Sequence, residues 1–340
     1  MPKAKLLTKH HLKFLSFPSA FRSTIFLTCV LVFAVCSIRQ SGNLQFLELA
    51  VFDLMMRVRG ETEPESRITV VGIGESDLTA WQQSTFSDRL LAKLIKKLQE
   101  HRPAVIGLNI YREIPQPPGS AELLQQLEAE NVIAIERIDQ NGEVPAPFNI
   151  PPERVGFNHL LLDNDGKVRR NFIALAHGDR SSSEEDFLYS FALQISINYL
   201  GAENQLEIEP EFLKLQETIF PNLKANSGGY QLSTSDIVGS QILLNYHSPN
   251  IARQLSFAQV LAGDFDPDWI KDRVILIGYT APSKKDIFST PFGVEQMPGV
   301  AIQAQMIGQI LSTVLDGRSL FKFLPQWGEV VWIWFWSYTG

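Results

Sequence analysis

Glu75, Asp77 and Asn109 stand at the ends of two apolar runs, RITVVGI (67–73) and AVIGLNI (104–110). If these runs are parallel strands, the three side chains sit at their C-terminal ends, where ligands bind in open α/β sheets. Carboxylate and amide groups there would grip the polar groups of a small molecule. The same groups serve equally well as caps and loop-fixing hydrogen-bond partners. Asp286 and Thr290 follow a third run, RVILIGYT (273–280), and are placed to join that rim, or in the case of Asp286 to fix its own loop. Arg169 and Arg170 alternate along a strand pattern, so one is expected to face solvent. The other would pair with a carboxylate or hold an anionic ligand. The candidate ligand-binding residues are therefore Glu75, Asp77, Asn109, Arg170, Asp286 and Thr290.

No catalytic set is legible beside them. GIGESD at 72–77 lacks the third glycine of a dinucleotide fingerprint, and neither a P-loop nor a G-x-S-x-G elbow is present. The histidines at 10, 11, 101, 159, 177 and 247 are scattered, without zinc-ligand spacing. Asp163-Asn164-Asp165-Gly166 begins like a calcium loop, but Lys167, Arg169 and Arg170 follow where oxygen ligands would be needed. No cofactor, metal site or catalytic residue is expected. A net charge of −7 argues against a general nucleic-acid partner.

The elements that must position these residues alternate. Strand patterns at 67–73, 104–110 and 131–138 are separated by helical patterns at 88–98, with the stripe Leu90, Leu91, Leu94, Ile95 and Leu98, and at 121–130. That order predicts an α/β fold with a mostly parallel sheet, flanking helices and possible antiparallel additions. GFNHLLLDNDGKVRRNFIALA (156–176) reads as two strands joined by the turn at 164–166. Ser183 is a candidate cap for a helix with an apolar face of Phe187, Phe191 and Ile195. QILLNY (241–246) and RVILIGYT are further strands, and 300–315 a helix with Ala304, Ile307, Leu311 and Val314 inward. LQFLELAVFDLMMRV (44–58) is helical, with Leu47, Val51, Leu54 and Val58 in one stripe. Residues 202–236 are the least readable stretch and are taken as an insertion or cap.

The ends point to a membrane. Residues 23–38, STIFLTCVLVFAVCSI, carry no charge and suffice for a short span. Lys3, Lys5, Lys9, Lys13 and Arg22 precede it with no acid, which places the N-terminus in the cytoplasm and the following domain outside. The two cysteines, Cys29 and Cys36, lie inside that span, so the outer domain relies on its core. VVWIWFWSY at 330–338 reads as the first half of a second span, or as an interfacial anchor. The expected division is a basic tail (1–22), a transmembrane helix (23–40), an α/β domain (42–320) and the start of a second transmembrane helix, cut off (326–340).

The ordered motifs resemble the CHASE2 family of extracytoplasmic sensor domains. LELAVFDLMMRVRG (47–60), RITVVGIGESDL (67–78), GFNHLLLDNDGKVRR (156–170), QILLNY, RVILIGYT and DIFSTPFGVEQMPGVAIQAQMI (286–307) carry the resemblance, over about residues 42–318. It implies a membrane-anchored sensor domain, in the plasma (inner) membrane, whose relatives precede adenylate or guanylate cyclases, histidine kinases or serine/threonine kinases. No such output domain is present in these residues. Two positions depart from the family pattern: Gly74 and Asn109 stand where aspartates are usual, which would weaken any site those acids form. Asp286, Thr290 and Arg170 are retained. The partners expected are the lipid bilayer, a second copy of the chain, a cytoplasmic or membrane signalling protein, and a small-molecule or protein stimulus. The rival readings are a stand-alone membrane-tethered interaction or regulatory protein and, least favoured, an extracytoplasmic enzyme.

Overall fold

The computed structural model describes residues 19–60, 63–82, 85–138, 143–177, 186–203, 205–233 and 236–339. The chain opens with α1 (Ser19–Gln40) and α2 (Gln45–Val58). It then alternates: β1 (Ile68–Ile73), α3 (Glu75–Ala80), α4 (Asp88–Gln99), β2 (Val105–Asn109), α5 (Ser120–Leu127), β3 (Val132–Glu136) and β4 (Val155–Phe157). After β5 (Arg170–His177) and β6 (Asp186–Tyr189) come α6 (Phe191–Leu200) and the short strands β7 (Leu206–Ile208), β8 (Phe212–Leu215) and β9 (Thr218–Pro221). The last stretch holds β10 (Ser240–Leu243), β11 (Arg253–Ser256), α7 (Phe257–Ala262), β12 (Val274–Tyr279), β13 (Ile287–Thr290) and β14 (Gly293–Pro298). Then follow α8 (Gly299–Asp316) and α9 (Gln326–Thr339).

A six-stranded, wholly parallel sheet in the order β11-β1-β12-β2-β3-β4 forms the centre. β1, β2 and β12 are buried on both faces apart from Tyr279, which is why they read as unbroken apolar runs rather than alternating ones. One face is covered by α4, α5 and α7, with Leu91, Leu94, Ile95, Leu123 and Val260 packed beneath them. On α4, Lys93 and Lys96 stay exposed opposite the predicted stripe. The other face is covered by α6 and α8. Contact with α6 demands small residues in the sheet: a Cβ at Gly107 would come within 2.5 Å of Ile195 and 2.8 Å of Phe191. Beyond these helices lie an antiparallel sheet β10-β5-β6, the hairpin β13-β14 and the meander β7-β8-β9. The mixed fold, with a mostly parallel core and antiparallel flanking sheets, is as the alternation predicts.

Three readings are corrected. Residues 156–176 do not form a hairpin of two paired strands. β4 closes the edge of the parallel sheet and β5 belongs to the antiparallel one, with a single antiparallel bridge, Leu162 to Val168, around the 164–166 turn. The helix at Phe191 is capped by Ser190, whose hydroxyl accepts from the Leu193 amide at 3.1 Å, while 186–189 is a strand; Ser183 lies outside the described residues. On α2 the predicted stripe faces outward. Leu49, Phe52, Asp53 and Met56 are buried, and Leu47, Val51, Leu54 and Val58 are exposed. That helix is apolar on both sides, so periodicity alone did not distinguish the core face.

α1 contains an 18-residue window, Ser23–Gln40, long and apolar enough to cross a membrane. α9 packs along it, and no described residue of α9 is buried.

Candidate functional site

The C-terminal ends of β12, β2, β3 and β4 open on one cavity of about 480 Å³. Asn109, Tyr279, Arg137 and Asn158 come from the strand ends or the turns just after them. Asn158 donates to Asn109 Oδ1 at 3.1 Å and accepts from the Tyr111 hydroxyl at 2.5 Å, so these three lining residues form one hydrogen-bonded chain. Thr85 and Arg112 come from the α4 side of the sheet. Arg112 is buried and committed locally: it donates to Phe86 O at 2.9 Å and Tyr111 O at 3.0 Å, and its Nε stands 3.4 Å from Asp88. Lys284 and Lys285 follow β12, and the Lys284 ammonium lies 4.6 Å from the centre of the Tyr279 ring.

The opposite wall is the first turn of α8 with Asp286. Gly299 and Gln303 are one turn apart on the same face of that helix, and both line the cavity. A Cβ at Gly299 would stand 2.6 and 2.7 Å from the two Asp286 carboxylate oxygens, so a larger residue there would force the Asp286 side chain to move. The Gly299 amide donates to the Asp286 backbone carbonyl at 2.9 Å. Burial pushes the Asp286 carboxyl above its ordinary value.

The six predicted residues separate into distinct places. Asn109 and Asp286 line the cavity. Glu75, at the start of α3, is exposed and accepts from the Ser283 amide at 2.7 Å, which lowers its pKa. Asp77 is buried; its carboxylate accepts from the Gly74 amide at 3.0 Å and from the Ala258 amide at the start of α7 at 3.3 Å. Thr290, buried at the end of β13, accepts from the Phe292 amide at 3.4 Å.

Arg170 belongs to a second polar assembly, and so does Arg169. Neither arginine faces solvent, contrary to the alternation argument: Arg169 is 1% exposed and Arg170 5%. The reason is an unusual density of carboxylates. Arg169 donates to Asp53 Oδ1 at 2.7 Å and Oδ2 at 2.9 Å, to Asp163 at 2.9 Å, and to Asp165 at 2.8 and 2.6 Å. Lys167 reaches Asp53 at 2.5 Å, and Arg170 reaches Asp163 at 3.1 Å and Gln241 at 3.0 Å. The Tyr230 hydroxyl donates to Asp163 at 2.8 Å. Three cations thus answer three carboxylates. Although burial opposes the Arg169 charge, these partners hold its pKa above the ordinary value. The Asp-Asn-Asp-Gly motif is an arginine clamp that ties α2, through Asp53, to the body.

Tyr279 and Gln303 were missed by the sequence reading. Tyr279 looked like the end of a buried strand and Gln303 like one polar residue in an apolar helix. α8 carries three buried glutamines, Gln303, Gln305 and Gln309, and that recurrence was the available signal.

A six-stranded parallel sheet with a polar cavity at its strand ends, preceded by α2 and by a helix long and apolar enough to cross a membrane, defines an α/β domain with a candidate membrane anchor. A model of the CHASE2 domain matches residues 30–340, and the chain belongs to that family. The CHASE2 domain is a non-catalytic, extracytoplasmic sensor domain of membrane receptors, and this chain is one. No curated protein and no solved structure matches it.

Proposed function

We propose that this chain is the sensing half of a cyclase- or kinase-type receptor of the plasma (inner) membrane. Residues 1–22 would be a cytoplasmic tail, 23–40 the transmembrane helix, 42–320 the sensor, and 326–340 the beginning of a second transmembrane helix. The observation that carries this reading is one ion-pair node. Arg39, at the end of α1, donates to Glu48 of α2 at 2.6 Å and forms a bidentate pair with Glu329 of α9. Both helices directed at the membrane are thereby tied to the sensor at a single side chain.

The route from the cavity to that node is continuous. α8 begins at the cavity wall and runs 18 residues, about 27 Å at the α-helical rise. Just past its end, Arg318 donates to Tyr246 O at 2.9 Å, and Arg59, just past the end of α2, donates to the same carbonyl and to Asn245. A stimulus that favours one of two arrangements of α8 would shift α2, and through Glu48 the Arg39 node. The exposed stripe Leu47, Val51, Leu54 and Val58 supports association with a second copy beside the span.

Three measurements test this. With Cys29 and Cys36 replaced by serine, a membrane-impermeant maleimide on intact cells should label Glu217→Cys and spare Lys3→Cys; the reverse pattern overturns the topology. Val51→Cys should cross-link two copies in native membranes, and its failure to do so removes the dimer. An intact mass well above 38.3 kDa, with a cyclase or kinase sequence in the excess, supports the receptor assignment. A mass of 38.3 kDa overturns it in favour of a separate signalling partner.

A further inference from the structure

The buried glutamines of α8 are not equivalent. Gln305 donates to Ser248 O at 2.6 Å and accepts from the His247 amide at 2.9 Å. Gln309 donates to Leu243 O at 2.9 Å and accepts from Asn171 at 3.3 Å. Gln303 is 3% exposed, yet its Oε1 has no hydrogen-bond partner among the described residues, and it lines the cavity. The Tyr279 hydroxyl, on the same cavity, is likewise buried without a partner among the described residues. A buried polar atom left unpaired is destabilising, so the Gln303 amide oxygen and the Tyr279 hydroxyl, carried by two residues that line one cavity, mark places for a ligand's polar groups.

The charges around the cavity are segregated. On the side of Asp286 and α8 stand two acceptors, the Asp286 carboxylate and the buried Gln303 Oε1. The far side carries four cations: Lys284, which reaches the Thr85 hydroxyl at 3.5 Å, Lys285, Arg137, and Arg112 beside Asp88. A plain anion would be attracted by these cations and repelled by Asp286. A plain cation would do the reverse. We propose that the cavity binds a small acid that also carries a hydrogen-bond donor, an amino acid, short peptide or hydroxy acid. Its carboxylate lies toward Lys284 and Lys285, and its ammonium or hydroxyl toward Asp286 and Gln303. The Tyr279 hydroxyl, without a partner among the described residues and carried on the ring that faces Lys284, would donate to the carboxylate. A cavity of about 480 Å³ accommodates a ligand up to the size of a small peptide. This rests on the sensor reading above and specifies its stimulus.

The test uses the full chain in lipid nanodiscs and isothermal titration calorimetry. The probes are the twenty L-amino acids, alanyl-alanine, lactate, malate and citrate. Acetate and succinate serve as acids without a donor, and ethanolamine as a donor without an acid. At least one probe should bind, and its match lacking either group should bind about tenfold more weakly or worse, the loss expected for a hydrogen bond to a charged partner. Amino acids binding without hydroxy acids, or the converse, identifies the donor. Asp286→Asn and Gln303→Met should lose the binding. Their unliganded melting temperatures, measured in parallel, show that each variant is folded, and Tyr279→Phe provides a third variant that leaves the backbone and ring in place. No probe binding at millimolar concentration overturns the proposal. So does equal binding of succinate, or full binding by folded Asp286→Asn and Gln303→Met. Each of these failures leaves the labelling and mass results intact, so the ligand class falls separately from the sensor assignment.

Discussion

His247 is buried beside Arg318, whose Nη1 stands 3.0 Å from the ring Nδ1. For the guanidinium to donate there, the ring must be neutral, with its proton on Nε2. Burial first, and then the Arg318 charge, push the His247 pKa from 6.5 down to about 4. In the unfolded chain the ring takes up a proton at its ordinary pKa, while in the folded domain it does not. The stabilisation is therefore complete above pH 6.5 and is lost progressively as the pH falls toward 4. The full effect is about 3 kcal/mol, and about 2 kcal/mol of it disappears between roughly pH 7 and pH 5. For a domain of this size that lowers the melting temperature by roughly 4–6 °C. The assay is thermal unfolding by circular dichroism of the full chain in nanodiscs, near neutral pH and near pH 5, beside His247→Gln. Glutamine can accept from Arg318 and does not titrate. The variant should lack this part of the acid sensitivity. Parallel pH profiles for the two proteins would refute a neutral buried His247.

Arg169→Met removes the cation that holds three carboxylates and should destabilise the domain by about 3–5 kcal/mol, read by urea unfolding. Arg170→Ala, which leaves Asp163 with Arg169 and Tyr230, should lower the melting temperature by several degrees; no change would show that its pairing with Asp163 contributes nothing. Gly299→Ala should cost about 1–3 kcal/mol through the clash with Asp286, and Asp286→Ala in the same chain should restore most of it. Absence of that rescue would place the strain elsewhere.

What the sequence disclosed follows from burial. Strands covered on both faces are written as apolar runs, so β1, β2, β3 and β12 were legible, and α4 declared its face because its lysines have only one side on which to be solvated. α2 deceived because both faces are apolar. The arginine pair deceived because alternation describes where a side chain points and not what waits there: Asp53, which pairs with Arg169, is 116 residues away in the chain. The cavity was half legible. Asn109 and Asp286 follow strands in the expected manner, while Gln303 and Tyr279 matter only because a neighbour is missing, and a one-dimensional pattern does not record missing neighbours.

The outward stripe of α2 has a practical consequence for anyone preparing the sensor as a water-soluble fragment. Cutting the chain at residue 42 removes the span but leaves Leu47, Val51, Leu54, Met55 and Val58 exposed on one helix. Cutting after α2 removes the stripe together with Phe52 and Asp53, which takes a ring from the core and a carboxylate from the Arg169 clamp. The first boundary favours self-association through the exposed stripe, and the second weakens the fold. Replacing Leu47, Val51 and Leu54 with glutamine or lysine, while keeping Leu49, Phe52, Asp53 and Met56, preserves the fold-forming side and gives the fragment a surface that water will wet.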